Sequence, residues 1–442
     1  MSKKISSIKG LESRKAALEV IQAVGKGAFA DIALERIFKL YSLKSIDKSL
    51  ITELSYGAIR QRYFLDCWID FFGKVPVKKQ PPLLRWLLHL GLYQILKMER
   101  IPPSAAINTT VELAKTYHLT KLAPVVNGIL RSALRRKERG YDLPKSKNPS
   151  IELAKNESLP LWLSDELIIW RGVEKACTIA KAFNTISPID IRVNRLRADL
   201  KDVKEIFDSC GIHNQLIPNC PYGLEVSAGI GEPNKWPGYL EGKWSVQDRS
   251  SQLIAPFLAA LPGEKILDAC AAPGGKSTHI AELINNQGEI WSVDRSSRRS
   301  EKILANAERL GTTCLRLLID DSNNLLSKNP KLEGYFHRIL VDAPCSGLGT
   351  LSRHPDSRWR MNQDNIKDLV FVQSKLLNSV VPLLKSGGKL VYSTCTIHPD
   401  ENFNQIKKFI EINSEFSLEY EKQIWPGEEN GDGFYVAVLN KN

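Results

Sequence analysis

Apolar positions recur at helical spacing from about residue 12 to 140. Ala16, Ala17, Val20, Ile21 and Val24 share one face, and Leu83, Leu84, Leu87, Leu88 and Leu92 form another. No strand-like alternation interrupts them. Pro102 and Pro103 break one helical run, Ser104 is suited to cap the next, and that helix continues through Ala106, Ile107, Val111 and Leu113. The last helix of the series, 121 to about 139, is expected to bury Val125, Val126, Ile129 and Leu130. Its end carries Arg131, Arg135, Arg136, Lys137 and Arg139, cations that also suit a helix C-terminus. The pattern predicts an all-helical bundle.

Pro144, Pro149 and Pro160 then punctuate a polar stretch, which sets a boundary. A helical pattern over 161–182, a strand at 190–194, a helix at 202–210 and a strand at 223–226 follow, the mark of a small α+β connector. After Trp244 short apolar runs alternate with longer helical patterns, as in stacked βαβ units around a parallel sheet. Strands are expected at 265–269, 290–294, 315–319, 338–342, 388–394 and 434–439. A helix over about 364–385 would bury Ile366, Leu369, Leu376, Leu377 and Val380 and stop at Gly387-Gly388. The predicted architecture is multidomain: an all-α bundle over 1–142, the connector over 143–240 and an α/β domain over 241–442.

With 442 residues, 43% apolar and 25% charged, the chain has material for two or three folded cores and no composition bias towards long disorder. The net charge of +12 is unevenly placed. Residues 1–150 hold 27 Lys and Arg against 12 Asp and Glu, whereas 151–442 hold 34 against 37. A basic module joined to a near-neutral one is the pattern of polyanion capture joined to chemistry elsewhere, although a merely solvated face would also be basic. The eight cysteines (67, 177, 210, 220, 270, 314, 345 and 395) form no CxxC pair and have no His partners at zinc spacing, so no metal site is expected. The segment Met1-Ser-Lys-Lys-Ile5 lacks the apolar run of a secretory signal, and no stretch of about 18 uncharged apolar residues exists. These features point away from secretion and membranes towards a cytoplasmic protein with reduced thiols.

In open α/β sheets ligands bind beyond the carboxyl ends of the strands. There this chain places Asp268-Ala-Cys-Ala-Ala-Pro273-Gly-Gly-Lys276, Asp294, Asp320, Asp342-Ala-Pro-Cys345 and Ser393-Thr-Cys395. Gly274 and Gly275 would let the backbone approach a ligand before a helix near Ser277. The turn is not G-x-G-x-x-G, and Pro273 beside an acidic Asp268 disfavours a pyrophosphate. It suits a ligand that carries an ammonium and no phosphate, such as S-adenosylmethionine (SAM). Asp294, 26 residues beyond Asp268, is placed to accept ribose hydroxyls, and Asp320 falls towards the adenine. One strand-end aspartate is commonly a cap or turn residue; four in register are not. Cys345 and Cys395 follow adjacent strands, so one crossover brings both thiols to one cleft. Singly, each would most often be a small buried hydrophobe. A thiolate added to carbon 6 of a cytosine turns carbon 5 into a nucleophile, and Asp342 could hydrogen-bond the ring nitrogen as the adduct forms.

These motifs resemble the RNA cytosine-C5 methyltransferases, and the whole chain resembles their Sun/Fmu (RsmB) branch, which acts on bacterial 16S ribosomal RNA. The likeness rests on six stretches in order: Trp244-Ser-Val-Gln-Asp-Arg-Ser-Ser251, 268–276, 342–345, Arg353-His-Pro-Asp-Ser-Arg-Trp359, Tyr392-Ser-Thr-Cys395 and Asp432-Gly-Phe434. It implies a Rossmann-like, SAM-dependent methyltransferase domain without a metal. Cys270, Ala271, Ala272, Pro273, Gly274, Gly275 and Lys276 would bind the cofactor together with Asp294, Asp320 and Asp342. Cys395 would be the nucleophile and Cys345 would assist product release, with Asp342 and Lys276 also catalytic. Position alone leaves the two thiols interchangeable, since the Pro-Cys thiol is the nucleophile in DNA cytosine methyltransferases. Spacing from Gly311 selects Asp320 over Asp321. The N-terminal bundle resembles the NusB fold, most plainly at Val126-Asn-Gly-Ile-Leu-Arg131, and the connector resembles an incomplete RRM-like fold without the paired aromatics of an RNA reader. The implied partner is RNA, namely 16S rRNA, free or within a pre-assembly ribosomal particle, and the implied state is a monomer. The same catalytic domain would serve tRNA or another rRNA position equally well. A non-catalytic antitermination factor is the contrasting possibility, against which stand the intact Cys345, Cys395, Asp342 and Lys276.

Overall fold

The computed structural model describes residues 10–227, 231–428 and 430–442. The N-terminal segment judged free of a leader, 1–5, lies outside them. The chain divides into two compact units, residues 1–184 with 354–360 and residues 185–353 with 361–442.

The first unit is helical, with long helices at Leu11–Gly25, Ala30–Leu40, Ser45–Arg60, Arg62–Phe72, Pro82–Lys97, Pro103–Thr116, Ala123–Glu138, Pro149–Glu157 and Leu161–Ala182. The last two, which the sequence pattern joins to the connector, group here with the bundle. Pro82–Lys97 is apolar on nearly every side, with Leu84, Leu87, Leu88, Leu90, Leu92 and Ile95 all buried, as suits a central helix. Gly57 lets the Ser45–Arg60 helix press against it: a Cβ there would stand 2.0 Å from the Tyr93 ring. Asp66, buried on the Arg62–Phe72 helix, accepts from Arg85 Nε at 2.8 Å and lies 2.7 Å from His89 Nε2. The segment 354–360 is part of this unit's packing. Arg358, fully buried, donates to the carbonyls of Ser158 at 3.2 Å and Phe183 at 3.0 Å, and Trp359 Nε1 donates to Ile59 O at 2.7 Å.

Two local expectations are corrected in this unit. Ser104 is not a cap, because the helix starts at Pro103, whose fixed φ and missing N–H suit the first turn. Val125 is exposed, since the buried stripe of Ala123–Glu138 runs through Val126, Ile129, Leu130 and Ala133, and Val125 sits about 100° round from it.

The second unit holds two sheets. A four-stranded antiparallel one comprises β1 (Ile189–Val193), β2 (Asn214–Leu216), β3 (Gly223–Val226) and β4 (Trp244–Val246), ordered β2-β3-β1-β4. The helix Leu200–Ser209 belongs with it, and Phe207, Trp236 and Trp244 build its core. Arg192 on β1 is buried and ties this sheet to the next, donating to Glu282 Oε1 at 2.7 Å and to the Gly275 carbonyl at 3.0 Å.

The larger sheet contains β5 (Lys265–Asp268), β6 (Glu289–Asp294), β7 (Leu315–Ile319), β8 (Phe336–Asp342), β9 (Leu384–Thr394), β10 (Phe416–Ile424) and β11 (Phe434–Lys441), ordered β10-β11-β9-β8-β5-β6-β7. β7, β6, β5, β8 and β9 run parallel, and β11 and β10 add antiparallel strands at one edge. Apolar clusters cover both faces, around Leu267, Ile339 and Tyr392 on one and Ile266, Leu340 and Val391 on the other. Strand order reverses between β5 and β8, which opens a crevice beyond their carboxyl ends. The helix Gln363–Val380 stops before Pro382, not at Gly387-Gly388. Those glycines lie within β9, where Gly387 has φ +73° beside a register shift against β8.

Candidate active site

The crevice beyond β5 and β8 contains a cavity of about 260 Å³. Its floor begins with the loop after β5. Ala271 N donates to Val293 O at 2.9 Å, Gly274 N donates to Ala271 O at 2.7 Å, and Gly274 takes φ +100°. A Cβ on Gly274 would come within 3.2 Å of the Ile303 backbone, so the glycine permits both the turn and the close approach. The peptide Ala272–Pro273 is cis. Ala269, Cys270 and Ala272 line the cavity, while Ala271, Pro273, Gly274, Gly275 and Lys276 shape the turn from outside its wall. Asp268, read from sequence as facing the ligand, is fully buried beneath this turn and accepts from Ser277 Oγ at 2.6 Å. Burial pushes its carboxyl up to about 7.

Asp294, at the end of β6, lines the cavity and is held by the backbone: Oδ2 accepts from Ala272 N at 3.2 Å and Oδ1 from Ser296 N at 2.9 Å. Arg299 crosses the same loop and donates to Ala272 O at 2.7 Å. Both Asp320 and Asp321 reach the cavity beyond β7. Asp320 is bonded by Lys328 at 2.7 and 2.8 Å, which holds its carboxyl below the usual range, and Asp321 accepts from Asn323 N at 2.9 Å.

The other wall is built from β8 and β9. Asp342 accepts from Lys276 Nζ at 2.6 Å through Oδ2 and from Ser393 Oγ at 2.9 Å through Oδ1, so both oxygens are fixed. Lys276 therefore joins the site through Asp342 rather than through the cavity wall. Cys345 and Cys395 both line the cavity, and their Sγ atoms are 3.4 Å apart. The Cys345 thiol is raised well above its ordinary value, first by its hydrogen bond to Cys395, then by burial, then by the charges of Cys395 and Glu401. Either sulfur can be the donor in the contact between them. Among the described residues no cluster of three or more His, Cys, Asp or Glu is arranged to hold a metal ion, and no helix is long and apolar enough to cross a membrane.

Sequence reasoning passed over Arg295, Arg299, Ser322 and Asn323 as cavity residues, and Glu401 behind the thiols. Arg295 and Arg299 sit just past the end of β6, where strand-end position was the available signal. Glu401 had none, because it lies six residues beyond Cys395 and returns to the site only through folding.

A parallel sheet wound in this order, closed at one edge by two antiparallel strands, is the frame of Rossmann-like methyltransferases, and this chain is one of them. The family model of the 16S rRNA methyltransferase RsmB/F matches residues 255–440, and that of the NusB family matches residues 11–135. A relative in Synechocystis, the probable ribosomal RNA small subunit methyltransferase B, is 36% identical over 98% of this chain and 100% of its own length. The ribosomal RNA small subunit methyltransferase B of Shigella flexneri is 35% identical over 89% of this chain and 91% of its own. Among solved structures, that of PH0851 is 26% identical and covers 99% of this chain and 100% of its own, with a TM-score of 0.81. A methyltransferase homolog protein from Pyrococcus horikoshii, 27% identical, covers 67% of this chain and 100% of its own, with a TM-score of 0.60. The chain belongs to the ribosomal RNA small subunit methyltransferase B family, with a NusB domain ahead of its catalytic domain.

Proposed function

We propose that this protein transfers a methyl group from SAM to carbon 5 of a cytosine in 16S rRNA, with Cys395 as the nucleophile. The observation that carries this reading is the meeting of two thiols 3.4 Å apart in one cavity with a doubly anchored aspartate.

The residues around the cavity fit SAM. Asp294, fixed by two backbone amides but with lone pairs left over, suits the ribose hydroxyls, and Ala269, Ala272 and Leu376 supply apolar surface for the adenosine. When bound, SAM supplies an electrophilic methyl group.

On the nucleic-acid side, the Cys395 sulfur adds to carbon 6 of the flipped cytosine, and the electron pair moved onto carbon 5 makes that carbon nucleophilic. Asp342, oriented by Lys276 and Ser393, accepts a hydrogen bond from the ring nitrogen once it is protonated, and so favours its protonation as the adduct forms. After methyl transfer a base takes the carbon 5 proton, and the C–H electron pair restores the carbon 5–carbon 6 double bond. The Cys395 sulfur departs as thiolate with the pair of the sulfur–carbon bond, the stage at which Cys345 assists release. Substrate RNA is gathered by the basic helical unit, where Arg131, Arg135 and Arg139 at the end of one helix are exposed.

The purified full chain incubated with methyl-labelled SAM tests this reading. Label should enter undermodified 16S rRNA as 5-methylcytosine, and Cys345→Ala should accumulate a covalent protein–RNA adduct. Labelling of tRNA alone would overturn the substrate, and an adduct absent from Cys345→Ala would overturn its part in release.

A further inference from the structure

Glu401, at the end of a short turn after β9, is buried, and no salt bridge to it is found among the described residues. Its carboxylate is nevertheless saturated. Oε1 accepts from the Ser346 backbone N at 2.8 Å and from Gln373 Nε2 at 3.0 Å, while Oε2 accepts from Thr396 Oγ1 at 3.1 Å and from Ser346 Oγ. Ser346 Oγ and Thr396 Oγ1 are themselves 2.7 Å apart. Gln373 also donates to Pro344 O at 2.9 Å, and Tyr392 OH donates to the Glu401 carbonyl at 2.7 Å. Pro344 and Ser346 flank Cys345, and Thr396 follows Cys395. One side chain therefore grips both thiol-bearing loops next to each sulfur.

A buried carboxylate without a counter-ion is an expensive way to stabilise a fold, since well-packed apolar groups commonly do it as well or better. The bonds it makes are with the loops that carry the thiols. We propose that Glu401 is the positioning residue of the thiol pair, setting the separation and aim of Cys345 and Cys395 by holding Ser346 and Thr396 on a single carboxylate. The catalytic meaning of that separation rests on the function proposed above; the separation itself is measurable without it.

The resting full-length protein is treated with diamide in the absence of RNA. Two neighbouring thiols become a disulfide, their two electrons and two protons reducing diamide to its hydrazine, and peptide mapping follows the Cys345–Cys395 bond. Glu401→Ala should form this bond about tenfold more slowly and lower kcat by about thirtyfold, while SAM affinity stays within about twofold, because small misplacements of reacting groups cost rate rather than remote binding. Glu401→Gln should recover both rates to within about threefold, since the amide keeps one acceptor and the two hydroxyls can turn to accept from its N–H groups. Should Glu401→Ala not fold, Thr396→Val, which loosens only the Cys395 loop, should slow disulfide formation by about threefold. Wild-type disulfide and turnover rates in Glu401→Ala, or in Thr396→Val where that variant stands in, would overturn the proposal. So would a Gln variant as impaired as the Ala variant. Turnover by Cys395→Ala would instead overturn the assignment of the nucleophile, and the disulfide rates would still decide the role of Glu401.

Discussion

The two sides of the strand-tip crevice hold their polar groups in different ways. Beyond β5 and β6, Asp294 is clamped by main-chain amides of Ala272 and Ser296, and Arg299, which donates to the Ala272 carbonyl, adds only a longer ion pair to it at 3.7 Å. Beyond β8 and β9, Asp342 is held by side chains, Lys276 and Ser393, and the thiols are held by the side chain of Glu401 acting on their neighbours. A group fixed by backbone has a rigid place and spare lone pairs, which suits binding. A group fixed by side chains from neighbouring strand tips is aimed by them, which suits chemistry. The reaction proposed above needs both: a constant seat for the donor and a well-aimed nucleophile for the base.

If this division holds, opposite substitutions should separate rate from cofactor affinity. Cys395→Ala should lower kcat by about 10⁴-fold or more while the dissociation constant for SAM stays within about twofold, because the nucleophile enters only the covalent path. Asp294→Ala should do the reverse, weakening SAM by about thirtyfold through loss of a charge-assisted acceptor, with kcat at saturating SAM reduced only a few-fold. Calorimetric titration with SAM and single-turnover labelling measure the two quantities separately. A Cys395→Ala variant that loses SAM binding would merge the two sides into one site and break the comparison.

The helical unit extends the contrast. Its buried ionic group, Asp66 with Arg85 and His89, is closed on itself and structural, whereas Arg131, Arg135 and Arg139 stand exposed. Replacing these three arginines by Gln should weaken RNA binding by about tenfold near 0.1 M salt and lower the slope of log affinity against log salt by about 2 to 3, without changing SAM affinity. A filter-binding salt series decides it; an unchanged slope would remove this helix end from the RNA surface.

The sequence declared the frame more openly than the wiring. The five parallel strands were legible because each is a short apolar run closed by a chemically distinct residue: Asp268, Asp294, Asp342 and Thr394-Cys395 stand at tips, and Asp320 just past one. β10 was not legible, because Phe416–Ile424 is an edge strand with Ser417, Glu419 and Lys422 on exposed positions, and polar and charged residues there suppress the apolar signal while discouraging edge-to-edge pairing. The candidate cavity was foreseen through Cys270, Ala272, Asp294, Asp320, Asp342, Cys345 and Cys395, all of which line it. Lys276 enters differently, through Asp342. Asp268 misled because position at a strand tip says nothing about depth. Ser277, nine residues on, draws its carboxylate under the turn instead of into the crevice.

That displaced aspartate gives the smallest effect, and one whose sign can be worked out. Its folded carboxyl sits at about 7 through burial, above the ordinary value of 3.8, so the folded state favours the protonated form. The associated stability is fully present below about pH 4 and is lost as pH rises through about 7. Asp268→Asn keeps an acceptor for Ser277 and cannot ionise. Its melting temperature relative to wild type should therefore rise with pH, by on the order of 2 °C between about pH 5 and pH 8, a shift kept small by the size of the chain. SAM affinity should stay within about twofold, because Asp268 lies under the turn and not in the cavity wall. A melting difference that is flat across this range would mean that Asp268 carries the same charge folded and unfolded. A large loss of SAM affinity would return it to the binding side of the crevice, where its place in the sequence first suggested it.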